Sequence, residues 1–162
     1  QGGLGLVGPG AWMGGVHTGD RHHERTFVPS RNFYSVVSDD LPGTRDWYVD
    51  LFGYRVEFDS DWFVHLQSVD APDVELGILA RDHEIVPERI RQHPSGGMLT
   101  IVVDDVDALH RRTIDHGAEV IETPRDLFYG QRRMLLVDPN GLVVDASSEC
   151  PPDPEWLASL GS

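Results

Sequence analysis

The chain is short of cysteine, of positive charge and of long apolar runs, and each shortage closes off a class of function. Cys150 is the sole cysteine in 162 residues, so no intrachain disulfide can form and a four-cysteine zinc site is impossible. A reducing, cytoplasmic setting is the expectation. The 13 Lys and Arg residues face 27 Asp and Glu, a formal net charge of −14, and Coulomb repulsion then opposes phosphate backbones and anionic membranes. Neither nucleic acid nor a membrane is expected as a partner. No apolar stretch approaches the roughly 20 residues that span a bilayer, which points to a soluble protein. There is no glycine-rich phosphate loop, and no serine or cysteine stands in a nucleophile motif. Cys150, beside Pro151 and Pro152, reads as incidental.

What is present is a duplication. NFYSVVSDDLPGTRDWYVDLFGYRVEF at 32–58 returns as GMLTIVVDDVDALHRRTIDHGAEVIE at 97–122, each copy running strand, paired aspartates, helix, glycine, strand. The offset is 65 from Phe33 to Met98 and 64 from Gly53 to Gly117, so one helix is a residue shorter. Length and repeat predict an α+β domain at 30–150, in which two tandem βαβββ modules form a curved mixed sheet around a cleft with the helices on the outer face. The modules span 30–82 and 96–149, with 83–95 as linker and 151–162 as a C-terminal tail. Residues 1–29 are glycine-rich, lack a signal-peptide pattern and read as a flexible N-terminal segment, part of it expected to be non-native with Met13 as a candidate start. His17, His22 and His23 lie there and read as part of that flexible tail ahead of a metal site.

Apolar patterning places strands near 32–38, 54–58, 61–68 and 73–81, and again near 97–103, 118–122, 131–137 and 141–147. The helices start after Asp39-Asp40 and Asp104-Asp105, where a carboxylate accepts from the free N–H groups of the first turn, and stop at Gly53 and Gly117. Leu41, Trp47, Tyr48, Leu51 and Phe52 form the core-facing stripe of the first helix. At period two, Leu99, Ile101 and Val103 pack on the helices while Met98, Thr100 and Val102 face the cleft. Phe33, Ser35 and Val37 do the same in the first copy. Asp138-Pro139-Asn140-Gly141 is a turn between the last two strands, and the amphipathic tail Glu155 to Leu160 should cover an edge or touch a second subunit.

SDDLPGTRDWYVDLFGY at 38–54, VVDDVDAL at 102–109 and DPNGLVVDAS at 138–147 resemble motifs of the vicinal oxygen chelate superfamily, which includes glyoxalase I, fosfomycin resistance enzymes, extradiol dioxygenases and bleomycin resistance proteins. The resemblance covers about residues 31–149. It implies a divalent-metal site in the enzymes, with nitrogen ligands on the first and fifth strands and a carboxylate on the eighth. Glyoxalase I adds a glutamate on the fourth. Counting back from the helix starts puts Phe33 and Met98 at the nitrogen positions, where a phenyl ring has no donor atom and a thioether suits soft metals. Acids remain at the carboxylate positions, Glu75 and Asp145. With an offset of 70 they are expected to be equivalent and to share the cleft. They are either buried acids satisfied by Arg or Tyr neighbours, or they hold a cationic or hydrogen-bond-donating ligand, or they share a proton and supply acid-base chemistry.

The expected cleft is aromatic: Phe33, Trp62 and Phe63, which should face opposite ways on the third strand, and Phe128 and Tyr129 in the loop before strand seven, with Met98 filling gaps. His65 alternates with Phe63 and Gln67 and is placed near Glu75, as a packing residue or a contributor to binding. In the loop RDLFYGQRR, Arg125 to Arg133, Gln131 and Arg132 are expected to read an oxygen-bearing substituent of a ligand. The plainer reading is a solvated turn with an arginine paired to the acidic surface. His83, His93, His110 and His116 read as surface residues. The expected function is a metal-independent small-molecule binding protein of the bleomycin-resistance type, a cytoplasmic homodimer without metal or other cofactor, sequestering a bulky, partly aromatic ligand. The alternative is an enzyme on the same fold, a lyase, isomerase, cyclase or dioxygenase, working either by acid-base chemistry with Glu75, Asp145 and His65 as candidate catalytic residues or through an altered metal site.

Overall fold

The computed structural model describes residues 29–161. The expectations for residues 1–28, including His17, His22 and His23, lie outside them. The element order is β1 (Tyr34–Ser38), α1 (Leu41–Phe52), β2 (Arg55–Asp59), β3 (Phe63–Gln67), β4 (Glu75–Ala80), a 3-10 turn (Glu88–Ile90), β5 (Met98–Val102), α2 (Val106–His116), β6 (Glu119–Leu127), β7 (Gln131–Val137), β8 (Val143–Glu149) and α3 (Pro154–Ser159). This is an α+β fold of two βαβββ modules. The two helices begin as their caps dictate. The Asp40 side chain accepts from the Gly43 N–H at 3.1 Å and that of Asp105 from the Ala108 N–H at 2.9 Å, while Gly53 and Gly117 close the helices at φ 69° and 75°.

The strands form two four-stranded sheets, ordered β1-β4-β3-β2 and β5-β8-β7-β6, rather than one continuous sheet. In each, the first and last strands of the module pair in parallel and the rest are antiparallel. One face of each sheet packs on the helices. Val36, Val64, Leu66, Leu76 and Ile78 from the first module join Ile101, Met134, Leu136, Val144 and Ala146 from the second in one buried cluster, with Trp47, Tyr48 and Val106 from the helices. Polar groups stitch the modules together. The Tyr48 hydroxyl donates to Asp138 Oδ2 at 3.0 Å, and Asn140 Nδ2 donates to Thr44 Oγ1 at 3.1 Å. Asp138 also accepts from the Asn140 and Leu142 N–H groups at 2.8 and 2.9 Å, so this buried carboxylate is fully occupied.

Two details depart from the sequence reading, and a third concerns the C-terminal tail. Residues 125–133 are not an open loop: Arg125 pairs with Arg133, Asp126 with Arg132 and Leu127 with Gln131, leaving only residues 128–130 as a hairpin tip. Trp62 lies just before β3, so strand alternation does not govern it, and its ring stacks on Phe63 at 5.5 Å instead of facing away. The C-terminal tail forms α3 against that hairpin tip, with the Asp153 N–H donating to the Phe128 carbonyl at 2.9 Å and Trp156 edge-on to the Phe128 ring at 5.6 Å. Among the described residues no helix is long and apolar enough to cross a membrane.

Candidate functional site

Because Val64, Leu66, Leu76 and Ile78 point to the helices, period two turns Phe63, His65, Glu75 and Gly77 to the opposite, open face of the first sheet, together with Ser35 of β1. There the rings form a continuous group. Phe63 and His65 are nearly parallel (7°) with centroids 6.5 Å apart, Phe33 lies 6.2 Å from His65, Phe58 lies 6.2 Å from Phe63, and Trp62 stacks between Phe63 and His83. Gly77 is the floor beneath them. A Cβ there would come within 3.0 Å of Phe63, 3.2 Å of Phe33 and 2.9 Å of the Ser35 hydroxyl oxygen, so the rings rest on bare backbone.

Beside this platform stands an ionic clasp. Arg31 Nε donates to Glu75 Oε1 at 2.7 Å, its Nη2 also pairs with Glu75, and its guanidinium carbon lies 4.7 Å over the Phe33 ring. His65 Nε2 contacts the same carboxylate and lies 3.0 Å from Arg31 Nη2. The Arg31 hydrogen bond, opposed by burial and reinforced by His65, holds the Glu75 carboxyl down at about 2. Glu75 is therefore a permanently charged structural partner at neutral pH. It has no proton to share with Asp145.

The second sheet's open face is mixed, with exposed Met98 and Val102 beside a group of polar and charged side chains. Asp145 is 6% exposed, and Thr100 Oγ1 donates to its Oδ2 over a long 3.4 Å, while Oδ1 has no partner among the described residues. Burial raises its pKa, against the pull of the Arg133 charge and the Thr100 hydroxyl. Arg133 Nη2 and Nε donate to Glu122 Oε1 at 2.9 and 3.1 Å, and Arg125 Nε lies 3.2 Å from the same oxygen. Met98 and Thr100 share this face and are exposed.

Register corrects the pairing of the two acids. Leu76 pairs with Tyr34 as Val144 pairs with Leu99, an offset of 68, so Glu75 corresponds to Val143 and Asp145 to Gly77. The connection 138–142 is two residues shorter than 68–74, which is why an offset of 70 holds on β3 and β7 but fails on β4 and β8. Arg132 is a second correction. It shares a side of β7 with the buried Met134 and Leu136, and donates to Asp107 at 2.7 and 3.0 Å and to Asp126 at 2.8 Å. Arg133, one residue on, faces the site with Gln131 and was passed over. Alternation alone could have found it, since Gln131 and Arg132 cannot share a face. Phe128 and Tyr129 sit at the hairpin tip beside α3, with their rings 5.3 Å apart. Arg31 was also missed, although it lies two residues before Phe33. His83 is half-buried against Trp62, not a free surface group.

There is a hollow of about 360 Å³ between the outer edge of β1, Ser35 included, and residues 89–95, and another of about 270 Å³ at the acidic start of α1.

The chain matches the Glyoxalase/Bleomycin resistance protein/Dioxygenase superfamily over residues 30–145 and belongs to it. It is 30% identical to the anthracycline biosynthesis protein DnrV of Streptomyces peucetius over 118 residues, which cover 67% of this chain and 43% of that protein. The match thus spans less than half the length of that relative. Among solved structures it resembles TnmS3, an antibiotic binding protein from Streptomyces sp. CB03234, at 23% identity and TM-score 0.61, covering 76% of this chain and 98% of that one. It also resembles a glyoxalase/bleomycin resistance protein/dioxygenase family enzyme from Burkholderia phytofirmans PsJN at 22% identity and TM-score 0.62, covering 72% and 96%.

The divalent metal that the resemblance implies for the superfamily's enzymes does not fit these residues. Phe33 and Met98 stand at the nitrogen positions, Glu75 is out of register and bound by Arg31, and Asp145 is the one carboxylate left. Among the described residues no three His, Cys, Asp or Glu side chains converge.

Proposed function

We propose that this protein is a metal-independent small-molecule binding protein that sequesters a bulky, partly aromatic ligand, such as an antibiotic or other natural product, as a cytoplasmic homodimer. The observation that carries this reading is the ring platform of Phe33, Phe63 and His65 over Gly77. Flat rings offset-stacked on such a surface gain about 0.5–1.5 kcal/mol per pair beyond area burial. The names of DnrV and TnmS3, one an anthracycline biosynthesis protein and the other an antibiotic binding protein, support the same ligand class. A second copy is supported by the apolar surface left on the open sheet faces, where Phe58, Met98 and Val102 are 49%, 52% and 65% exposed.

Native mass spectrometry of freshly purified protein, followed by titration with an anthracycline and other planar polycycles, tests this. A metal-free dimer that binds stoichiometrically and returns the compound unchanged is the expected result. Chemical turnover of the bound compound, or a stoichiometric divalent ion, would overturn it. In the enzyme alternative Asp145 and His65 remain the candidates for proton transfer, because Glu75 is bound by Arg31 and held down at about 2, with no proton to give and little basicity near neutrality.

A further inference from the structure

We propose that Asp145 is the polar anchor of the ligand site, its unpartnered Oδ1 accepting a hydrogen bond from a neutral hydroxyl carried on the ligand's aromatic ring system. This rests on the reading of the protein as a binder of planar aromatic molecules and adds the polar group such a molecule must present. Val144 and Ala146 on either side are fully buried in the core, so the Asp145 side chain emerges on the opposite, open face. A buried carboxylate oxygen without a donor is a standing desolvation penalty.

The fold does not call for that penalty. The register partners of Asp145 are Thr100 and Leu135, and the equivalent position in the first module is Gly77, so the strand pairs without a carboxylate there. An acid kept in such a place has its use outside the ligand-free fold.

The surrounding charges select the donor. Arg125 and Arg133 both engage Glu122, and the Arg133 charge also acts on Asp145, giving two guanidinium groups and two carboxylates in one balanced group. An ammonium would bring an unbalanced charge towards Arg133. A hydroxyl donates one hydrogen bond and leaves the balance intact. The first sheet's open face carries the rings and the second carries Asp145.

Amide NMR spectra of the isotope-labelled full chain, titrated with naphthalene, β-naphthol and naphthylmethylammonium, test the proposal. β-Naphthol should shift the Thr100 and Asp145 signals and bind about tenfold more tightly than naphthalene. Asp145→Val, which removes the acceptor, should erase that preference and melt no lower than the parent protein, while Asp145→Asn, whose amide oxygen still accepts, should keep part of it. Equal binding of naphthalene and β-naphthol, a preference for the ammonium, or an Asp145→Val chain that melts lower or does not fold, would each overturn it. If the signals of Phe33, Phe63 and His65 move with all three probes while β-naphthol shows no advantage, the anchor alone is wrong. If no probe moves them, the aromatic-binder reading itself fails and takes the anchor with it.

Discussion

Adding one methyl group at Gly77, as Gly77→Ala, separates the ring platform from the fold that carries it. Gly77 is absent from the glycines with positive φ, so alanine is compatible with its backbone, and the loss of unfolded-state freedom favours the variant by about 0.4–1 kcal/mol. Against this stands crowding. The new Cβ would come within 2.9 Å of the Ser35 hydroxyl oxygen, 3.0 Å of Phe63 and 3.2 Å of Phe33, and overpacking of this kind costs about 1–3 kcal/mol. The two rings are side-chain ends on an open face, so they can lift, and the net loss should sit near ~1 kcal/mol, a fall of about 3–5 °C in Tm. Binding should suffer more. Displacing two rings from their stacking positions forfeits about 1–3 kcal/mol, roughly five- to 150-fold in Kd for a planar polycycle. Thermal unfolding and quenching of tryptophan fluorescence by the polycycle measure both numbers on one sample. A Gly77→Ala chain that binds as tightly as the parent would refute the platform, and a much larger drop in Tm would mean that the rings cannot move.

Removing the Tyr48 hydroxyl by Tyr48→Phe deprives the buried Asp138 carboxylate of one donor, and should cost about 1.5–3 kcal/mol in urea unfolding with an unchanged m-value. Glu75 and Asp145 should titrate with opposite signs. Glu75, held at about 2, gives stability that is present above its unfolded value and lost as pH falls from about 4.5 towards 2, and Glu75→Gln should flatten that acid slope in Tm. Asp145, raised by burial, contributes in the other direction, its share being lost as pH rises through its folded value, so Asp145→Asn should gain in relative Tm towards neutral pH. Arg133→Ala should weaken binding of a hydroxylated polycycle by calorimetry, while Arg132→Ala, on the helix side of β7, should leave it unchanged.

Local rules made most of the fold legible. Asp40 and Gly53, and Asp105 and Gly117, bound their helices because capping depends on neighbours within one turn. The split of Leu99 and Ile101 from Met98 and Thr100 follows from the two-residue pleat of a strand. These determinants lie close together in the chain, and so the duplicated architecture and the aromatic character of Phe33, Phe63 and His65 could be named before any coordinates.

The site required contacts that span the chain. Arg31 meets Glu75 across 44 residues and turns a candidate acid into a neutralised clasp. Whether Glu75 or Gly77 stands opposite Asp145 in the duplication depends on ladder register, which a connection two residues shorter in the second module resets without leaving a mark in the apolar pattern. Side-chain type and spacing therefore determined which elements form and which way they face. Pairing register and long-range charge neutralisation, properties of backbone hydrogen bonds and buried ions brought together only on folding, decided which of the two acids is left with an unmet hydrogen bond.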